Sequence, residues 1–120
     1  MKIYAQDRTF VPKGWGFEDW IVNKPEYCGK ILFFKKGRMC SWHYHEEKDE
    51  TFYIQEGKLK VIYGWQDDLA LAEESVLEPG DGFHVPVGLR HQMIGLLDTT
   101  MFEFSMQHFD EDSHRVIKGD

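Results

Sequence analysis

Two histidines one residue apart, with a glutamate five residues later, form the densest group of metal-ligand side chains in this sequence. They are His43, His45 and Glu50 in Trp42-His43-Tyr44-His45-Glu46-Glu47-Lys48-Asp49-Glu50. Side chains alternate faces along a β-strand, so His43 and His45 point one way and Tyr44 the other. The polar residues after His45 read as a hairpin loop that returns Glu50 to the strand beside it, with Phe52 and Ile54 on the same face. Two imidazoles and one carboxylate gathered there make a 2-His-1-carboxylate set, which holds a divalent ion and leaves positions open for a substrate. A fourth ligand is available downstream, in Gly80-Asp81-Gly82-Phe83-His84-Val85-Pro86-Val87-Gly88-Leu89-Arg90-His91. Pro86 fixes φ and Gly88 tolerates backbone shapes other residues avoid, so the chain turns there and His91 opens the next strand, with Met93 and Gly95 on its face. Imidazole and carboxylate suit iron, manganese, nickel and zinc alike, so these four residues predict one divalent ion per chain without naming it.

A single His-x-His on a strand is more often a surface pair than a metal site; here a second segment in the right order supports it. The other histidines carry less. His84 either lines the interior or faces water, four ligands being enough without it. His108 and His114 flank an acidic segment and read as solvated, as does the charged run Glu46 to Asp49. Cys40 shares the face of Trp42 and Tyr44 and reads as packed, not ligating.

These side chains need strands to hold them. Short β-rich runs cover Lys30 to Phe34, Met39 to His45, Thr51 to Gln55, Leu59 to Tyr63, Gly82 to Pro86, His91 to Leu96 and Met101 to Met106. Gly37, Gly57, Gly64, Pro79-Gly80, Pro86 and Gly88 stand between them. Short strands with regular turn signals predict an all-β sandwich or barrel. Leu69 to Ser75 fits a short helix or a further strand equally well. Asp110-Glu111-Asp112 could open a short terminal helix over Ser113 to Lys118, since acidic residues favour a helix N-terminus. Trp15, Phe17 and Trp20 are too aromatic for a free tail, so the N-terminal segment is expected to cover a barrel edge, its own or a partner's.

A chain of 120 residues is the size of one domain. Its net charge of −7 repels phosphate backbones, which argues against a nucleic-acid partner. Two cysteines with no finger spacing fit a reducing compartment, and the N-terminus has no apolar leader, so a cytoplasmic location is expected. No apolar run approaches the length of a membrane span.

Gly37, His43, His45, Glu50 and Gly57 resemble the first cupin motif, in which Gly, five residues, His-x-His, four residues, Glu, six residues and Gly follow in order. Gly80, Pro86, Gly88 and His91 resemble the second, with Gly95 where an Asn usually closes it. The resemblance implies an all-β jelly-roll barrel, one cupin domain over residues 1–120, with the metal in its mouth held by both motifs. Further pieces are similar to the cupin domain of type II mannose-6-phosphate isomerases. Lys13-Gly14-Trp15-Gly16-Phe17-Glu18 looks like that family's Pro-Trp-Gly-x-x-Glu. Lys36-Gly37-Arg38-Met39-Cys40-Ser41-Trp42-His43-Tyr44-His45 looks like its Pro-Gly-x-x-Leu-Ser-x-Gln-x-His, with Lys36 for the Pro and His43 for the Gln. Glu103-Phe104-Ser105 and Glu111-Asp112-Ser113-His114-Arg115 resemble its closing segments.

That likeness implies aldose–ketose isomerisation of a sugar or sugar phosphate, with Glu103 as the base. By parity Glu103 lies opposite the apolar stripe of Phe102 and Phe104, which puts it either inside or in solvent. Arg115 would hold a phosphate or a developing enediolate, or else pair with the neighbouring acids. Phe52 and Phe83 are candidates to line the pocket. The same ligands would also serve an iron-dependent dioxygenase or a non-catalytic binder. A homodimer is the expected assembly.

Overall fold

A computed structural model describes all residues 1–120. Eleven strands carry the fold: β1 (Thr9–Lys13), β2 (Gly16–Lys24), β3 (Tyr27–Phe34), β4 (Trp42–Tyr44), β5 (Glu50–Glu56), β6 (Leu59–Gly64), β7 (Glu73–Leu77), β8 (Gly82–Val85), β9 (Arg90–Gly95), β10 (Thr99–Ser105) and β11 (His114–Ile117). They form two antiparallel sheets, one ordered β1-β2-β3-β10-β5-β8 and the other β11-β4-β9-β6-β7. Period-two burial explains why they pack. In β3 Cys28, Lys30, Leu32 and Phe34 are buried while Ile31 and Phe33 are only half-buried, and in β5 Glu50, Phe52 and Ile54 alternate with Thr51, Tyr53 and Gln55. The inner faces meet over Leu32, Phe34, Phe52, Ile54, Leu59, Val61, Met93 and Met101, which is the jelly-roll barrel the motifs imply. No helix is long and apolar enough to cross a membrane.

Two expectations change and one open choice is resolved. The loop after His45 does not close a hairpin: β4 belongs to one sheet and β5 to the other, and Glu50 pairs with Val85 and Ser105. Alternation fixes which face a residue takes but not which sheet its strand joins, and here the two ligand strands face each other across the interior. The segment after Asp112 is not a helix. Asp110–Asp112 makes one 3-10 turn, and β11 then pairs with the edge of β4, which supplies the backbone partners a lone helical turn would lack. Leu69 to Ser75 divides into a 3-10 turn, capped by the Asp68 carboxylate, and the start of β7.

The N-terminal segment extends its own sheet as β1 and β2, pairing with β3 of the same chain, and Trp15 stacks on Phe34 at a centroid distance of 4.1 Å. At Gly88, φ is +86° in the turn between β8 and β9. Gly95 has a different cause: a Cβ there would lie 2.8 Å from the Lys35 carbonyl oxygen, so the Asn common at that place would not fit.

Candidate metal centre

β4 and β9 run side by side with His43 directly opposite His91, and His45 follows β4 on the same face. The ligand atoms of His43, His45 and His91 lie within 4.8 Å of one another. Glu50 reaches the same point from the other sheet. Its Oε1 is 3.1 Å from His91 Nε2 and 3.6 Å from His45 Nε2.

The backbone fixes which nitrogen of each ring faces inward. Nδ1 lies 2.8 Å from the Ser41 carbonyl in His43, 3.0 Å from the Asp112 carbonyl in His45 and 3.0 Å from the Leu89 carbonyl in His91. A carbonyl oxygen has no proton to give, so each Nδ1–H donates, and in a neutral ring Nε2 then carries the lone pair. His91 Nε2 is buried without a hydrogen-bond partner although it stands beside a carboxylate oxygen. Lone pairs and an anionic oxygen facing one another repel unless a cation stands among them, so this donor set suits a divalent ion. Burial holds His45 down to about 4, although the Glu50 charge opposes it, and holds His43 well below the ordinary range. His43 and His45 are therefore neutral, as a metal requires.

Lys48, which the sequence places in a solvated loop, is buried. Strand parity with Glu50 and Phe52 was the signal for its inward direction. Its ammonium lies 2.9 Å from Glu50 Oε2 and 3.1 Å from Glu103 Oε2. Burial alone would lower its pKa, but these two carboxylates raise it; conversely, burial would raise Glu50, and Lys48 and the imidazoles bring it well below the carboxylate range. His108 is also not solvated. It is packed edge-on to Trp20, its Nδ1 accepts from Lys48 at 2.9 Å and its Nε2 donates to Asp110 at 3.0 Å. Asp112, unremarked in the sequence, is buried and its carboxylate accepts from the backbone N–H groups of Glu46, Glu47 and Lys48.

The three imidazoles, Glu50, Lys48 and His108 border one cavity of about 690 Å³, and Asp112 stands behind its wall. Glu103 is on its wall, which answers the choice between interior and solvent. Its Oε2 accepts from Lys48 and from Ser105 Oγ at 2.8 Å, and no hydrogen bond reaches Oε1. Arg115 borders the cavity too, registered opposite His43 on β11, and makes no ion pair with the neighbouring acids; Asp112 is engaged by the Glu46 amide and Asp110 by His108. Phe52 lines the cavity; Phe83 does not, because it packs edge-on to Tyr63. His84 is exposed and bound to Asp49 at 2.8 Å, His114 stacks on Tyr44, and the buried Cys40 thiol is pushed up to about 12, which leaves it packed and protonated.

The model of the cupin domain matches residues 31–104. The chain is a cupin. Among curated proteins, this cupin is 36% identical over 77 residues to quercetin 2,3-dioxygenase from Bacillus subtilis (strain 168), a stretch that is 57% of this chain and 21% of that protein. It therefore spans about a fifth of the relative's length. Among solved structures, CapF from Staphylococcus aureus, a capsular polysaccharide assembling protein, superposes with a TM-score of 0.79 at 19% identity, covering 92% of this chain and 32% of that one. A variant of oxalate decarboxylase from Bacillus subtilis gives 0.81 at 16% identity over 96% and 32%. KdgF from Halomonas sp. gives 0.74 at 19% identity, covering 90% of this cupin and 94% of KdgF. At such identities the superpositions speak for the barrel alone.

Proposed function

We propose that this cupin binds one divalent ion through His43, His45, His91 and Glu50 and isomerises a sugar or sugar phosphate between aldose and ketose forms. The observation that carries this reading is Glu103: it lines the cavity, one of its carboxylate oxygens is pinned by Lys48 and Ser105, and no hydrogen bond reaches the other. A base so oriented can take a proton from C2 of the substrate and return it to C1, while the hydroxyl proton passes from O2 to O1, so the reaction balances without a co-reactant. The ion, when bound, would supply polarisation of the substrate carbonyl. Phe52 shields the reacting end from water, and the unpaired Arg115 guanidinium suits a phosphate or the negative charge of the enediolate.

The test is incubation with a panel of aldoses, ketoses and their phosphates in deuterated water with metal present. An isomerase exchanges or transfers the proton at C1 or C2 of one of them, and Glu103→Gln should abolish that exchange while leaving metal content unchanged. The sequence similarity to quercetin 2,3-dioxygenase favours a second reading, oxygenation of another small molecule at the same centre. Oxygen uptake with no sugar exchange would select it.

We further propose that residues 1–120 act as one domain and that two copies associate through the outer face of the six-stranded sheet. Phe10, Phe17, Phe33, Phe102, Phe104 and Tyr53 gather there; Phe17 stacks on Phe33 and Phe102 on Tyr53. Half-covered aromatics of this number offer about 600 Å² per copy, near the lower end of stable interfaces.

A further inference from the structure

Lys48 has a role that its charge alone does not describe. Its three ammonium protons meet three acceptors: Glu50 Oε2 at 2.9 Å, Glu103 Oε2 at 3.1 Å and His108 Nδ1 at 2.9 Å. Its own backbone N–H is held by the Asp112 carboxylate at 3.1 Å, so neither end of the residue is free to swing away. Glu50 is thereby divided. Oε1 faces His91 and His45, and Oε2 lies against a positive charge.

We infer that Lys48 restricts Glu50 to one ligating oxygen and so keeps two neighbouring positions of a bound ion open to a chelating substrate. A carboxylate can close on a divalent ion with one oxygen or two. The second closure would bring the ion to the oxygen that already holds an ammonium, and the two cations repel. Three imidazoles and one oxygen occupy four places on an ion that takes six, leaving a pair for a two-oxygen ligand. With both Glu50 oxygens bound only one place would remain, enough for a single-donor ligand and too few for a hydroxy-carbonyl or a vicinal diol. Lys48 is thus a positioning residue that acts through Glu50. The inference rests on the metal site proposed above and not on the choice of sugar.

The experiment uses the full chain loaded with Co²⁺, whose visible spectrum reports coordination, and two probes: acetohydroxamate, which binds through two oxygens, and azide, which binds through one atom. Lys48→Met should weaken acetohydroxamate by roughly tenfold or more and leave azide nearly unchanged, and Lys48→Arg should restore the chelator. Lys48→Met alone leaves two buried carboxylates uncompensated, so Lys48→Met/Glu103→Gln is measured beside it; this pair keeps the cluster's net charge and should show the same split. Equal losses for both probes, or no loss for either, would overturn the inference. If neither variant folds, the infrared difference spectrum of the wild-type protein with and without metal decides. The wide carboxylate splitting of one-oxygen ligation supports the role, and the narrow splitting of a chelating carboxylate overturns it. Failure of the wild type to take up Co²⁺ would remove the metal site as well, whereas an absence of sugar exchange with the probe split intact would remove only the isomerase.

Discussion

Replacing Asp112 with Ala should cost about 2–4 kcal/mol of folding stability. Its carboxylate accepts from Glu46 N at 2.9 Å, Glu47 N at 3.1 Å and Lys48 N at 3.1 Å. A hydrogen bond to a charged group contributes about 1.5–3 kcal/mol, but the three do not count equally. Glu46 and Glu47 are exposed, so water can replace the carboxylate at their amides, whereas Lys48 is buried and its N–H would be left unpaired. One full contribution and two discounted ones give the stated range. Asp112→Asn should cost less, because Oδ1 survives for Glu46 and Glu47 while the new amide group turns a donor toward Lys48 N. Urea unfolding of the metal-free protein measures both, with an unchanged slope showing that the transition itself is the same. A loss below about 1 kcal/mol in Asp112→Ala would refute the view that this carboxylate organises the ligand loop.

The His45→Ala and His91→Ala proteins should fail to retain metal on elemental analysis, while His84→Ala, at an exposed position, should retain it. Stability of the metal-free protein should fall as pH drops from about 6.5 toward 4. His45 is held down to about 4 and His43 well below its ordinary range, so in that window the unfolded chain takes up protons that the folded chain refuses. His45 alone should account for a loss of about 3 kcal/mol at the acid end, and His45→Gln should make the fall shallower without abolishing it; equal urea midpoints at pH 7 and pH 5 would contradict this. Light scattering should find a homodimer, and Phe102→Lys/Phe104→Lys should yield a folded monomer; a wild-type monomer at high concentration would refute the interface.

Much of the site can be read in advance because its ligands belong to two short segments whose turn residues have local causes. His43, His45 and His91 share a face by alternation, and Gly88 marks the turn that delivers the last of them. The supporting residues are harder to read because their partners are distant in sequence. Lys48 finds Glu103 across 55 residues and His108 across 60, and a charged residue in a charged run looks solvated until those partners are known. Asp112 carries no local pattern that distinguishes it from Asp110 two residues earlier, which is exposed. The false hairpin has a similar origin: period two gives the face, and only the packing of the two sheets gives the partner strand. The terminal helix failed because a strong acidic start says nothing of an unpaired strand edge waiting at β4.

The clasp that Asp112 makes on the first ligand loop also sets an order of events. Lys48 and Asp112 stand 64 residues apart. At ribosomal rates of about 5–20 residues per second, the loop carrying His45 and Glu50 waits roughly 3–13 s for the segment that fastens it. For the first two thirds or so of that time the first two imidazoles and the carboxylate exist without His91, and for all of it without the Asp112 carbonyl that orients His45. Any ion captured then is held by an incomplete and mobile set of donors and exchanges readily. On the proposed metal site, the lasting choice of ion would therefore fall to the finished barrel and not to the first ligand loop.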